Sequence, residues 1–232
     1  MGFALAVAIH SMGGSAVADT PRKVVQKCGL AIVLAADISA SVNDHEFRLQ
    51  MNGFASALRH PEFMNGLAAT SGGIAVTLVL WSSTNQQFQA VNWTHVHDTR
   101  TAEVLARNIE RVQRPRTEVG TGTAVGAAML YSAKLLSDAP HDCWRKVIDV
   151  SGDGRSNVGP KPALARDVIV AQGITINGLA IVSDEPDLNV YYRDHVIGGD
   201  AAFVITASNH EAFDVAIRKK LIRELLFRIS QR

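Results

Sequence analysis

The stretch GLAIVLAADISAS, from Gly29 to Ser41, decides the fold because it joins a strand-like run to a cluster of oxygen-bearing side chains. The run is apolar without a break up to Ala36, as expected of a strand that is covered on both faces. It ends abruptly in Asp37, Ser39 and Ser41, and this alternating spacing directs the three side chains to one side of an extended turn. Such oxygen ligands suit Mg²⁺, Mn²⁺ or Ca²⁺. The stretch therefore predicts a buried strand that presents a hard-cation site at its carboxyl end.

The composition indicates one fairly large domain. The chain has 232 residues, of which 47% are hydrophobic, and this is enough to bury a substantial core. Its 23 basic and 22 acidic side chains nearly balance, with a formal net charge of +1. A balanced charge gives no indication of a nucleic-acid partner or of an anionic membrane surface.

Residues 1–18 predict a secretory signal peptide, followed by a short segment at 19–27. They contain no Asp, Glu, Lys or Arg, and the small residues Ala16-Val17-Ala18 stand before Asp19 as in a cleavage site. The segment lacks the basic residues that usually begin a signal, so a plain terminal tail remains the alternative. It is too short to span a bilayer, and no later stretch is long enough. The expected location is therefore periplasmic or secreted.

The rest of the chain alternates strand-like and helix-like segments. Strands are expected at 30–36, 74–81, 88–93, 146–150, 174–182 and 203–206. Helices are expected after a capping box of Asn43 and Glu46, as far as Pro61, then at 104–112, 125–136 and 162–172, and finally after Ser208 and Glu211. This order predicts an α/β fold, a doubly wound and mostly parallel sheet with helices on both faces and one antiparallel edge strand, formed by residues 28–228.

Two further polar positions fall where this fold would place them beside the first cluster. Asp153 follows the strand at 146–150, and Thr123 closes the loop GTGT just before a helix. Ligands bind such sheets outside the carboxyl ends of the strands, where the strand order reverses. Thr121 is the alternative to Thr123, and the helical phase after Thr123 favours the latter.

These three segments together resemble the von Willebrand factor type A domain. The resemblance rests on Asp37-x-Ser39-x-Ser41, on TAVGAAM from Thr123, and on Ser151-Gly152-Asp153-Gly154, whose order and spacing agree with that family. Other segments, DHEFRLQ, WRKVIDVSGDG, GITINGL and YYRDHVIGG, resemble a bacterial branch of secreted proteins that is known only as a domain of unknown function.

The resemblance implies a metal-ion-dependent adhesion site. It implies that the hydroxyls of Ser39 and Ser41 bind the cation directly, that Thr123 binds it directly or through water, and that Asp37 and Asp153 anchor it, often through water. The implied cation is Mg²⁺, or Mn²⁺ or Ca²⁺, and one coordination position stays open for a carboxylate of a protein partner.

The residues favour a binding module over an enzyme. The sequence has no G-x-S-x-G elbow, no P-loop and no G-x-G-x-x-G motif. The alternatives are a metal-dependent hydrolase and a structural domain whose metal site is vestigial.

Three smaller features carry expectations of their own. Cys28 and Cys143 each precede a strand-like run, so parallel neighbouring strands would allow a disulfide between them; two unpaired thiols are the alternative. His95 and His97 form an H-x-H pair with no Cys or third His near it in the sequence, and they are interpreted as surface histidines; a soft-metal site is the alternative. Arg114 is expected in a solvated helix exit.

Overall fold

The computed structural model describes residues 1–2, 26–115 and 122–226, so most of the expected signal peptide, Thr121 and the last two residues of the expected domain lie outside the described residues. The strands are β1 Gln26–Asp37, β2 Ile74–Trp81, β3 Gln87–Val96, β4 His141–Gly152, β5 Ile174–Ile181 and β6 Val204–Ala207. The helices are α1 Asp44–Arg59, α2 Pro61–Ala68, α3 Thr99–Glu110, α4 Val125–Ser137, α5 Pro162–Val170, α6 Leu188–Tyr191 and α7 Phe213–Leu226.

The six strands form one sheet in the order β3-β2-β1-β4-β5-β6. All neighbouring pairs are parallel except β2 and β3, which are antiparallel, so β3 is the antiparallel edge strand. The predicted fold class is therefore confirmed. The chain builds outward from β1 in one direction with β2 and β3 and in the other with β4, β5 and β6. The strand order thus reverses between β1 and β4, which is where such sheets bind ligands.

The sheet is covered on both faces because alternate residues of each strand point to opposite sides. Leu30, Ile32 and Leu34 of β1 pack with α1, α2, α3 and α7, whereas Ala31 and Val33 pack with α4, α5 and α6. Both sets are almost entirely buried, so the central strand is held from both sides and its carboxyl end has a fixed position.

A disulfide joins β1 to β4 near their amino ends. Cys28 and Cys143 face each other in the register of the two parallel strands, with Cα atoms 4.4 Å apart, and they form a disulfide. The predicted disulfide is therefore confirmed, and the described residues contain no free cysteine.

Buried charged groups attach α7 to the sheet. The ammonium of Lys220, which is fully buried, donates to Asp149 of β4. Glu224, one turn later, accepts from the amide of Asn177 on β5 and lies 3.4 Å from the guanidinium of Arg145. Burial raises the pKa of the Glu224 carboxyl to about 7, and the nearby Asp149 adds to the rise.

Two local expectations differ from the structure, at Pro61 and at the cap of the final helix, and one further element has no counterpart among the expected segments. Pro61 does not end the helical region but begins α2 as its first residue, a position where the missing N–H of proline costs nothing. A π-helical turn, Tyr192–Val196, follows α6 directly. The final helix is preceded by the 3₁₀ turn His210–Ala212, whose cap is Asn209 rather than Ser208. Among the described residues, no helix has both the length and the apolar character that crossing a membrane requires.

Candidate metal centre

Asp37 is the last residue of β1, and its side chain is fully buried. Its Oδ1 accepts a hydrogen bond of 2.7 Å from the backbone N–H of Ser39, so the chain turns tightly around the carboxylate. The buried side-chain amide of Gln50 on α1 donates to the Asp37 carbonyl at 3.0 Å. The predicted capping box of Asn43 and Glu46 then starts α1. The turn between β1 and α1 is therefore fixed at both ends.

The ends of β1 and β4 meet because the two strands are parallel neighbours in register, with Ala36 opposite Ser151. Asp153, which follows β4 directly, accepts a hydrogen bond of 2.8 Å from the hydroxyl of Ser41. The hydroxyls of Ser39 and Ser41 are themselves 3.2 Å apart. Two segments separated by 112 residues in the sequence thus share one cluster of oxygen atoms.

Thr123 approaches from the loop before α4 and is 7% exposed. Its backbone N–H donates to the side chain of Asn157 at 2.8 Å, and its carbonyl accepts from the N–H of Asn157 at 3.0 Å. Its hydroxyl oxygen lies beside Gly154, 4.0 Å from the position that a Cβ would occupy there. The structure therefore places Thr123 against the segment that carries Asp153, and all five predicted residues lie at one edge of the sheet.

The electrostatics of the cluster are unfavourable without a counter-charge. Burial raises the pKa of the Asp37 carboxyl to about 8, and the nearby charge of Asp153 adds to the rise. Burial also raises the pKa of Asp153, although its hydrogen bond from Ser41 acts in the opposite direction. Two neighbouring carboxylates in a buried place repel each other unless a cation or a proton lies between them.

One oxygen of the cluster lacks a hydrogen-bond partner. Asp37 Oδ2 is buried and makes no hydrogen bond, whereas Oδ1 of the same carboxylate accepts from Ser39. A buried carboxylate oxygen is costly to leave without a partner. Three hydroxyls and two carboxylates form an all-oxygen donor set, which suits a hard divalent cation. The residues present therefore fit such an ion.

The structure adds charged neighbours that the sequence did not reveal. Arg114 is not in a solvated helix exit: its guanidinium donates to the carbonyls of Ile38 and Ser39, at 3.3 and 3.4 Å, and forms an ion pair with Asp44. Its charge acts to lower the pKa of Asp37, against the larger effect of burial. The local sequence gives no signal for this role, because Arg114 lies 75 residues beyond Ser39.

His210 and Tyr192 are two further buried neighbours. His210 lies 3.4 Å from Glu46 through Nδ1, while its Nε2 is buried without a hydrogen-bond partner, and its charge acts to lower the pKa of Asp153. Burial raises the pKa of the Tyr192 phenol well above its usual value, and the charges of Asp37 and Asp153 add to the rise. Both side chains come from segments that only the tertiary fold brings to the site.

The H-x-H pair lies away from this cluster, at the end of β3, with His95 on the strand and His97 directly after it. The rings of His95 and His97 stack with centroids 4.9 Å apart, and the ring of His141 stacks on His95 at 5.6 Å. Within 26–115 and 122–226, no three His, Cys, Asp or Glu side chains are arranged to hold a metal ion. The cluster at the ends of β1 and β4 is of a different kind, because its oxygen ligands are mainly hydroxyls.

A groove begins next to Thr123. It has a volume of about 360 Å³ and is lined by Ser156, Lys161, Tyr191 and His195, among others. Ser156 connects the groove to the cluster because its hydroxyl donates to the Thr123 carbonyl at 3.2 Å. The lining contains no acidic side chain.

The fold and the position of this cluster define the class of protein: the chain has the fold of a von Willebrand factor type A domain. The resemblance noted in the sequence is therefore confirmed. The chain belongs to the family DUF1194, described as a protein of unknown function, whose sequence model matches residues 27–228. No curated protein matches the sequence.

Solved structures with this fold come from several sources. Proximal thread matrix protein 1 from the mussel byssus, in a structure with a zinc-occupied MIDAS motif, is similar with a TM-score of 0.61 and 17% identity, over 85% of this chain and 48% of that chain. The pilus adhesin SpaC from Lactobacillus rhamnosus GG gives 0.57 and 13%, over 85% and 30%. The vWF domain of the type V pili tip protein Mfa5 from Porphyromonas gingivalis gives 0.57 and 11%, over 88% and 98%.

At these identities the likeness concerns the fold alone. The present chain spans about half the length of the mussel protein and less than a third of the pilus adhesin.

Proposed function

We propose that this protein is an exported binding module that holds a divalent cation at Asp37, Ser39, Ser41, Thr123 and Asp153 and uses it to bind an acidic group of a protein partner. The observation that carries the proposal is the hydrogen bond of 2.8 Å from Ser41 to Asp153, beside an Asp37 oxygen that has no partner. The zinc-occupied MIDAS motif of the mussel protein and the adhesive role named for SpaC support the same reading.

The ligand types explain why such a site would attract an anion. Hydroxyl ligands are neutral, and Asp37 and Asp153, which would hold the ion mainly through water, would neutralise its charge less closely than directly bound carboxylates, so positive charge would remain at the open position. Mg²⁺ also keeps several coordination positions for water or for an incoming ligand. When bound, the cation would supply positive charge at the carboxyl edge of the sheet, which a partner carboxylate can neutralise.

Binding without turnover is the function proposed. A hydrolase needs a general base beside the water that it activates. Asp37 and Asp153 are the carboxylates in the cluster, and both are assigned to the cation. The groove of about 360 Å³ next to Thr123 leaves room for a partner segment that extends beyond the ion.

Thermal unfolding tests the cation site. We expect millimolar Mg²⁺ or Mn²⁺ to raise the melting temperature, because a ligand that binds only the folded state stabilises it. Asp37→Ala should abolish this rise. The matched control is Asp142→Ala, an exposed carboxylate near the amino end of β4, which should leave the rise unchanged. A folded wild-type protein whose melting temperature does not respond to either cation would contradict the site.

Capture of the partner tests the second half of the proposal. The immobilised protein should retain a partner from periplasmic or secreted extract in Mg²⁺ and release it when the cation is chelated. Ser41→Ala, which removes one hydroxyl ligand, should retain less than Asp142→Ala. Hydrolysis of generic esters or phosphates that is lost in Asp153→Ala would instead favour the enzyme.

A further inference from the structure

Tyr192 has a buried hydroxyl that makes no hydrogen bond. Its side chain is fully buried at the start of the π-helical turn Tyr192–Val196, and its phenol oxygen has no hydrogen-bond partner. A buried polar group without a partner is costly, because it has lost its hydrogen bonds to water and gained none in return. Single π-helical turns within helices are frequent at functional sites. The position of this hydroxyl therefore calls for a functional reason.

The hydroxyl faces the same small space as the unpartnered oxygen of the metal site. A Cβ added to Gly152 would lie 2.8 Å from the Tyr192 hydroxyl oxygen and 2.9 Å from Asp37 Oδ2. Neither oxygen has a hydrogen bond in this structure. The Tyr192 hydroxyl, a potential donor, and Asp37 Oδ2, an acceptor, therefore border the same space. A glycine at position 152 leaves this space open, because any side chain there would enter it.

A second glycine makes room for the ring itself. A Cβ added to Gly178 on β5 would lie 2.7 Å from Cδ1 of Tyr192. Gly152 and Gly178 are on neighbouring strands, β4 and β5, and Gly178 pairs with Val150, two residues before Gly152. Two strands therefore lack side chains where one tyrosine ring passes towards the carboxyl end of the sheet.

We propose that Tyr192 is a positioning residue for the metal site: its hydroxyl, which makes no hydrogen bond in this structure, donates to Asp37 Oδ2 when the cation is bound and then holds the carboxylate in its metal-binding orientation. This inference rests on the proposed function. Each carboxylate oxygen has two lone pairs, so Oδ2 can accept from Tyr192 and still face the cation or a water molecule bound to it. Ser39 already donates to Oδ1 at 2.7 Å, so the two donors together would fix both oxygens.

This role differs from that of a packing residue in a measurable way. Groups that orient a metal ligand typically change metal affinity by about 10- to 100-fold when they are removed. The ring of Tyr192 packs in the core beside Leu188 and Val196, and Tyr192→Phe keeps that ring. The variant therefore removes only the hydroxyl.

Calorimetric titration with MnCl₂ or MgCl₂ tests the inference on three proteins: the wild type, Tyr192→Phe and Tyr131→Phe. Tyr131 lies halfway along α4 and makes none of the hydrogen bonds of the site, so its variant is the matched control. We expect Tyr192→Phe to bind the cation about 10- to 100-fold more weakly and Tyr131→Phe to bind as the wild type does. Thermal unfolding in a chelator gives the second readout. There Tyr192→Phe should unfold at the same or a higher temperature than the wild type, because it loses an unpartnered buried hydroxyl.

The outcomes separate the two proposals. If the wild type binds the cation and Tyr192→Phe binds it equally well, the positioning role is wrong and the proposed function stands. If Tyr192→Phe melts at a lower temperature than the wild type in chelator but binds the cation with the same affinity, the hydroxyl contributes to stability alone and the positioning role is likewise wrong. If the folded wild type binds neither cation, the proposed function fails and this inference falls with it.

Discussion

Asp37 is placed where a carboxylate is least stable when it is alone. It is fully buried, it lies near a second carboxylate, and one of its oxygens has no hydrogen-bond partner. Arg114 offsets this only in part, because its guanidinium donates to backbone carbonyls and to Asp44. A carboxylate held in this way favours any ligand that supplies positive charge, as a divalent cation does.

The raised pKa of Asp37 predicts how stability depends on pH. Without a cation, the folded pKa of about 8 exceeds the ordinary value of 3.8, so the folded state binds this proton more tightly than the unfolded state. The stabilisation is fully present below the unfolded pKa and is lost as the pH rises through the folded pKa. A cation requires the ionised carboxylate, so the rise in melting temperature that it causes should grow between about pH 5 and about pH 8.

Unfolding scans with Mg²⁺ and with a chelator at each pH measure this effect. Glu224, whose pKa of about 7 lies in the same range, is a residue of α7 outside the metal cluster. Its effect on the melting temperature is the same with and without the cation, so it cancels when the two scans are subtracted. Asp37→Asn should show a smaller cation effect without the increase. A cation effect in the wild type that stays constant with pH would argue against Asp37 as a ligand group.

The elements of the sheet could be predicted from the sequence because their signals are local. Apolar runs gave β2 and β5 within one residue of their observed bounds, and the capping box located the start of α1. The segment Leu188–Val196 has no such signal, since four α-helical residues and one π-helical turn show no full period of apolar positions. The sequence therefore leaves two interpretations of Tyr191-Tyr192-Arg193 open, a partner surface or the packing of a short helix, and it does not place Tyr192 beside Asp37.

The site could be predicted to a similar extent. Asp37, Ser39 and Ser41 are visible because they follow one apolar run, and parallel strand order places Asp153 beside them. Arg114 and His210 could not be found, because their roles depend on contacts between distant elements. The buried ionic cluster under α7 was missed for the same reason: Lys220 and Asp149 are 71 residues apart.

The buried ion pair of Lys220 and Asp149 should contribute strongly to stability, because it attaches α7 to the sheet. Lys220→Met removes the ammonium that faces Asp149 and leaves that carboxylate buried without its counter-charge. Breaking a buried pair in this way lowers the free energy of unfolding by about 3–5 kcal/mol, which denaturant titration measures. The neighbour Lys219 is exposed, so Lys219→Met should change stability by less than about 0.5 kcal/mol. An equally small effect of both variants would show that the cluster does not anchor the helix.

The two central strands, β1 and β4, are connected at both ends. The hydrogen bond from Ser41 to Asp153 joins the carboxyl edge, and the disulfide between Cys28 and Cys143 joins the amino edge. The ten residues from Cys28 to Asp37 are all in β1 and span about 30 Å at the usual rise of a strand. The covalent connection therefore stabilises the pair of strands that carries the site without touching the site itself.

This arrangement predicts that the disulfide contributes to stability and leaves cation binding unchanged. The bond closes a loop of 115 residues, and loss of a native disulfide typically costs about 2–5 kcal/mol. The double variant Cys28→Ala, Cys143→Ala should therefore unfold at lower denaturant concentration than the wild type, while its calorimetric affinity for Mn²⁺ equals that of the wild type because the site lies at the far end of β1.

Wild-type protein that is purified from an oxidising compartment and unfolded without reductant should show no titratable thiol. Two titratable thiols, or equal denaturation midpoints for the two proteins, would refute the prediction; a weaker affinity in the variant would instead show that the two ends of the strand pair are coupled.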